Sequence, residues 1–283
     1  MEKDIALLCD GMHYVPRIAA GQPDISVISP GLLSEYGIRD SCRLVSIHNH
    51  SSPASPCAAT SIGQLRTAAR RKHLDCTYLT DHHVLTVDES HSLQAGVELK
   101  TEFGEVNLLD VRPHSILPEK KWRDVLDFSY AQREAGAILG LNHPFSGQML
   151  SFLPQGRRRG GFDFAAYLDS PGDTSMKTLV ATFDYVELNT NNYSGRDAVA
   201  AMQLADEYDT TLLVGEDTHF TCMVGRTGFN AIPSHMTLRE ALAERKVVPV
   251  LTRKGAAYVQ GGWFPFAAWQ RLRSGIRKGS KNR

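Results

Sequence analysis

Leu44-Val45-Ser46-Ile47-His48-Asn49-His50 is an apolar run that ends in two histidines one residue apart. In a strand successive side chains alternate between faces, so His48 and His50 point one way and Asn49 the other. Leu212-Leu213-Val214-Gly215-Glu216-Asp217-Thr218-His219 repeats the arrangement far downstream, with Asp217 and His219 on one side. Between them lie Thr80-Asp81-His82-His83, Gly96-Val97-Glu98-Leu99 and Leu141-Asn142-His143-Pro144. Neutral imidazoles and carboxylates together suit zinc, manganese or iron, and a carboxylate shared by two ions permits a multinuclear site. One His-x-His pair is weak evidence, because such pairs also arise by accident. Five ligand-bearing strand ends at one topological place are not independent accidents, and a barrel with its site on one face requires that recurrence.

Positioning those side chains takes an alternation of strands and helices. Ile62, Leu65 and Ala69 recur at helical spacing, so residues 61–72 read as a helix capped by Thr60 or Ser61, followed by a strand from Cys76 to Thr80. Residues 44–80 thus form a strand, helix, strand unit with parallel pairing expected. Short strands at 97–99 and 106–109 flank a turn at Phe103-Gly104; then come a helix over 122–135 and strands over 137–141 and 184–188. A helix over 197–208 and a strand over 210–214 complete the pattern, which is that of an α/β fold. Residues 145–175, rich in Gly, Pro and Arg, read as a long insertion at the active face.

At 283 residues the chain fits one barrel-sized unit. Residues 1–43 read as an amino-terminal extension with a β-like run, Ile25-Ser26-Val27-Ile28, and a structural His13; residues 44–250 read as the catalytic barrel. In residues 251–283, Trp263-Phe264-Pro265-Phe266 and Trp269 precede Arg271, Arg273, Arg277, Lys278, Lys281 and Arg283 with no acid among them. Aromatics packed on the barrel and a frayed basic tail are the plainer reading; contact with an anionic membrane surface or a polyanion is the other. Basic and acidic residues balance at 31 each, which argues against nucleic acid as the main partner. Five scattered cysteines without a Cys-x-x-Cys pair point to free thiols and a reducing compartment. With no apolar run near the roughly 20 residues of a membrane span and no basic region leading into an apolar stretch at the amino terminus, a cytoplasmic location is expected.

Taken in order and spacing, His-x-His, Leu-Thr-Asp-His, Gly-Val-Glu, Asn-His-Pro-Phe, Asp-Tyr-Val-Glu-Leu-Asn and Asp-Thr-His resemble the polymerase and histidinol phosphatase (PHP) family of metal-dependent phosphoesterases over about residues 44–230. The resemblance implies a distorted (β/α)7 TIM-like barrel of the PHP type, with two or three divalent ions (Zn, Mn or Fe) at the carboxyl ends of its strands. Carried over residue by residue, it makes His48, His50 and Asp217 ligands of a first ion, and Glu98 a bridge to a second held also by His143. His82 and His219 would serve a third. Asp81 would orient a ligand, and His83 would follow it into the loop. Two departures stand out. Many members have a histidine in the strand after the bridging glutamate, where this chain has Asn107, and an aspartate shortly after His-x-His, where it has only residues 51–57. His114 and Cys57 are the candidates to fill those gaps, although a solvated loop and a buried thiol are their commoner roles.

The chemistry implied is hydrolysis of a phosphate monoester or diester of a small molecule, because a bound divalent ion lowers the pKa of its water to about 7. His48, His50, Glu98 and Asp217 would carry that step. Arg226, Arg196 and Arg157-Arg158-Arg159, each beyond the carboxyl end of an expected strand, would hold the remaining phosphate charge. Glu187 and Glu216 read as structural hydrogen-bonding groups near the site. The alternatives are a nuclease acting on nucleic-acid ends and a non-catalytic domain that binds a phosphorylated ligand or a protein.

Overall fold

Near-continuous apolar runs are what strands buried on both faces require, and the computed structural model, which describes residues 26–27, 42–145, 161–172, 174–190 and 195–252, turns each such run into a strand of one sheet. The strands are β1 (Ser26–Val27), β2 (Cys42–Ser46), β3 (Cys76–His82), β4 (Gln94–Lys100), β5 (Glu105–Leu109), β6 (Ile138–Leu141), β7 (Tyr185–Asn189), β8 (Thr211–Gly215), β9 (Gly228–Pro233) and β10 (Val248–Leu251). The helices are α1 (Ile62–Arg71), α2 (Trp122–Glu134), α3 (Phe164–Leu168), α4 (Met176–Ala181), α5 (Gly195–Glu207) and α6 (Leu238–Ala243). Of the two cap candidates it is Ser61 that caps α1, reciprocally with Gln64. β9, β10 and the short helices α3, α4 and α6 are additions to the sequence reading, and α3 lies inside the stretch read as an insertion. Ser26–Val27, from the stretch read as an extension, pairs in parallel with β10.

The sheet runs β1-β10-β9-β2-β3-β4-β5-β6-β7-β8 and is mixed. β2–β3, β3–β4, β6–β7 and β7–β8 pair in parallel, whereas β4–β5, β5–β6, β2–β9 and β9–β10 are antiparallel. It curls until β8 lies against β9 and β10, giving a nearly closed barrel. A side chain makes the seam. Val214 N–H donates to Asn230 Oδ1 at 2.8 Å and Asn230 Nδ2 donates to Val214 O at 2.9 Å, so one amide stands in for a ladder step. Gly228 permits the approach, because a Cβ there would lie 2.4 Å from Val214 Cγ1.

Inside the barrel the pleat sorts residues by height. Val45, Tyr78, Leu109, Ile138, Tyr185 and Leu213 pack with Leu238 and Ala241 of α6 into an apolar layer at the bottom. On β5 to β8 the next inward positions are polar or glycine, Asn107, Gly140, Glu187 and Gly215, and Glu98 of β4 pairs with Asn107 at the same level. The glycines make room, since a Cβ on Gly140 would strike the Tyr185 ring at 2.0 Å and one on Gly215 the Glu187 carboxylate at 2.3 Å. Outward-facing Val97, Leu99, Leu139, Val186 and Leu212 join a second cluster with Val125 of α2, Leu179 of α4 and Ala201 of α5. The chemistry therefore sits on a packed floor, at the end where the parallel strands finish.

Candidate metal centre

His48 and His50 lie beyond the last residue of β2, not within the strand, and Asn49 holds them there. Its side chain donates to Tyr78 O at 3.0 Å and accepts from Thr218 Oγ1 at 2.9 Å. His50 N–H donates to Thr218 O at 3.0 Å and Thr218 N–H to His48 O at 3.2 Å, which brings the two ligand-bearing exits side by side. Asn49 and Thr218 thus face outward while their neighbours on either side face in, as the alternation predicts.

All seven candidate ligands converge. His48 Nε2 and His50 Nε2 are 3.1 Å apart; Asp217 Oδ1 lies 2.9 Å from His50 Nε2 and 3.6 Å from His48 Nε2. Glu98 sits at the centre, with Oε1 at 3.3 Å from His48 Nε2 and 3.2 Å from His143 Nε2, and Oε2 at 2.5 Å from His82 Nδ1. Their atoms form ion-sized groups: His48, His50 and Asp217; His48, Glu98 and His143; His50, His82 and His219. Asn142 Nδ2 donates to Glu98 Oε1 at 2.8 Å and helps fix the carboxylate.

The backs of the ligands are held as well. Glu187 Oε2 accepts from His48 Nδ1 at 2.8 Å, and Ser55 Oγ, which donates to Asp81 at 2.6 Å, is left to accept from His50 Nδ1 at 3.3 Å. His219 Nδ1 donates to Asp217 O at 2.8 Å. Each contact places the proton on Nδ1 and leaves the Nε2 lone pair facing the cluster, which is how a metal-ligating imidazole is oriented. Asp81 is saturated by Ser51, Ser55 and Thr86 and binds nothing in the cluster directly. Glu216, buried beneath the loop that carries Asp217 and His219, accepts from the backbone of Gly225, Thr227 and Gly228. Glu187 and Glu216 both hold structure, as read from the sequence.

Charge within the cluster is divided. Burial opposes ionisation of Glu98, but His82 and His48 beside it hold its carboxyl well below the usual range; His219 and His48 do the same for Asp217. Burial lowers His50 to about 4, whereas the carboxylates of Glu187, Glu98 and Asp217 overcome burial and raise His48. Two imidazole nitrogens 3.1 Å apart are not both protonated, and a cation between them could be served by both. The donor set, imidazole nitrogens and ionised carboxylates converging in a buried pocket, fits divalent zinc, manganese or iron.

The remaining expectations divide. Cys57 is exposed and stands beside His219 and His82, which lower its thiol pKa against the effect of burial. His114 is exposed, and His83 accepts from Lys100 N–H at 2.7 Å, so neither joins the cluster. Arg226 is half-buried, and its guanidinium makes no hydrogen bond or ion pair among the described residues; it is not brought into contact with the cluster. Arg196 falls in α5 with its side chain outside the description, and Arg157, Arg158 and Arg159 lie outside the described residues, as do Cys9, His13 and the aromatic and basic stretch from 253 onward. No helix among the described residues is long and apolar enough to cross a membrane. One carboxylate escaped the sequence reading: Glu105, at the start of β5, has Oε2 3.9 Å from His143 Nε2.

No family model and no curated protein matches this sequence. Solved structures do. A two-domain protein from Bacteroides vulgatus containing a predicted PHP-like metal-dependent phosphoesterase aligns with 81% of this chain and 68% of its own at 16% identity and a TM-score of 0.51. PsfC from Pseudomonas syringae aligns over 85% and 99% at 16% identity and a TM-score of 0.49. An amidohydrolase from Chromobacterium violaceum, with bound sulfate and no metal, aligns over 72% and 97% at 14% identity and a TM-score of 0.45. The first of these likenesses shows the fold. The chain has the barrel of a PHP-like protein, the family its motifs resemble.

Proposed function

We propose that this chain is a metal-dependent hydrolase, on a distorted seven-fold PHP-type barrel, that cleaves a phosphate monoester or diester of a small molecule. The observation that carries the reading is the convergence of His48, His50, His82, His143, His219 and Asp217 around Glu98, with His48, His50 and His219 oriented from behind. His48, His50 and Asp217 would hold one divalent cation, with Glu98 and His143 holding a second and His82 and His219 a third. Such cations, when bound, make water acidic near neutral pH and neutralise charge on the ester oxygens.

The chain's own residues do the rest. Glu187 and Ser55 keep the lone pairs of His48 and His50 turned inward, and Glu98 spans the two halves of the cluster. Beside His143 lies a small cleft lined by Phe145, Glu187, Asn189, Asp197 and Ala198, with room for about one water. Arg226, Arg196 and the run Arg157 to Arg159 are the groups we assign to the remaining phosphate charge, because guanidinium forks match phosphoryl oxygens. Arg226→Ala tests that assignment: it should damage turnover of a phosphate ester and leave metal content intact.

The experiment for the reaction is a screen of phosphate monoesters and diesters, alongside single-stranded oligonucleotides and amides, with full-length protein reconstituted with manganese or zinc. Chelator-sensitive phosphate release from small esters is the expected result. Preference for oligonucleotides would favour the nuclease, amide cleavage would replace the reaction class, and tight phospholigand binding without turnover would favour a non-catalytic domain.

A further inference from the structure

β5 runs antiparallel to β4, so the end of β5 that reaches the active face is its first residue, Glu105. Residues two apart on a strand share a face, and Glu105 therefore points to the same side as Asn107, which pairs across the ladder with Glu98. The Glu105 carboxylate, the Glu98 carboxylate and a ring nitrogen of His82 lie within 4.8 Å of one another. Its Oε2 is also 3.9 Å from His143 Nε2.

We propose that Glu105 is a metal ligand that, with Glu98 and His143, seats the second cation, and that His82 serves this cation rather than the third position given to it above. This rests on the metal-dependent reading above. Two carboxylates, their side chains 1% and 11% exposed, share this pocket and repel each other unless a proton or a cation comes between them. Lys100 does not settle the matter, because its Nζ lies 3.7 Å from the other oxygen, Oε1, and its side chain is 57% exposed. Asn107 cannot supply the missing charge: it is neutral and fully buried, and neither of its amide atoms has a hydrogen-bond partner. Two carboxylates with two imidazoles make a donor set suited to manganese, iron or zinc. The ligand has moved two residues along the strand, from its middle to the end that meets the cluster.

Metal stoichiometry and manganese electron paramagnetic resonance of the full-length protein test this. The parent should bind at least two Mn2+ with the exchange-coupled spectrum of a carboxylate-bridged pair. Glu105→Gln, close in shape, should lose one ion and the coupling while retaining the other, its affinity for the second falling about 100-fold or more, since even groups that merely orient a ligand cost 10–100-fold. Lys100→Ala should leave stoichiometry unchanged. Asp217→Asn should disturb the first ion instead. Glu105→Gln that keeps both ions and the coupled spectrum overturns the proposal while leaving the metal-dependent reading standing; a parent that binds no metal overturns that reading and this one with it. Glu105→Ala provides a second variant, and a thermal melt of each apo protein shows that loss of the ion is not loss of the fold.

Discussion

His48 and His50 are gripped from behind, whereas the opposite half of the cluster leans on its own ligands. Glu187 and Ser55 face the Nδ1 atoms of the first pair, both histidines are fully buried, and both leave the end of β2 locked to Thr218. On the other half the His82 side chain is 33% exposed, and its Nδ1 touches Glu98 itself. Behind Glu98 stands Asn107 with both amide atoms unpartnered. A ligand whose orientation is fixed in advance loses little freedom when it binds; one that must be gathered loses more. The His48 side should therefore bind its ion more tightly and at lower occupancy of total metal.

Removing the charge on the gripped side should have the largest consequence. Asp217→Asn should lower turnover on the order of 10³-fold, the loss expected when several kcal/mol of metal-derived transition-state stabilisation disappears. Steady-state kinetics beside elemental analysis would check it. If the first ion and the rate both survive, the tight site lies elsewhere in the cluster.

Next in size is Glu187→Gln, which leaves packing against Gly215 in place but removes the carboxylate that fixes His48. Affinity for the first ion should fall about 10–100-fold with the second less affected. Metal competition titration reads this directly, and an equal loss at both sites would mean that Glu187 supports the barrel rather than one imidazole.

Protonation makes metal binding pH-dependent. Burial pulls His82, His143 and His219 down, yet the carboxylates of Glu98 and Asp217 and the Cys57 thiol raise His82 to about 11 and His143 and His219 to about 9. These folded-state values exceed the ordinary 6.5, so their contribution to apo stability is fully present below about pH 6.5. It is lost as pH rises through about 9 for His143 and His219, and through about 11 for His82. A cation needs the neutral rings, so each proton displaced makes affinity rise about tenfold per pH unit below that range. Calorimetry at pH 6.5, 7.5 and 8.5 in buffers of different ionisation enthalpy should show proton release on metal binding. Affinity independent of pH would remove these histidines from the ligand set.

The parallel part of the barrel was legible in the sequence because a parallel strand carries its site residue at its carboxyl end. His48, His82, His143 and Asp217 all follow an apolar run, and each is where that rule places it. Glu105 was not legible for the same reason inverted: β5 descends from the site, so its contribution is its first residue, ahead of the apolar run. The supports were harder still. Ser55 lies in a polar loop and Asn230 in an unread strand, and nothing in a single sequence distinguishes them from ordinary polar residues. β9, α3, α4 and α6 are only 5 or 6 residues long, too short for a periodic pattern to declare itself.

Asn107, on the less-supported half, should matter least to metal binding. The side chain is fully buried between the apolar floor and Glu98, and its contact with the neighbouring Tyr185 hydroxyl falls short of good hydrogen-bond geometry for either group. Leaving a buried polar group unsatisfied costs about 1–3 kcal/mol, whereas an apolar group of similar volume costs nothing of that kind. Asn107→Leu should therefore stabilise the apo protein by about 1 kcal/mol in denaturant unfolding, with an unchanged dependence on denaturant. The second ion should remain, since Glu105 and not Asn107 supplies the charge on this face. Two outcomes would count against this account. Loss of about 1 kcal/mol or more would mean that the amide is paired through buried water, and loss of the second ion would make the Asn107 carbonyl oxygen a ligand despite its lack of charge.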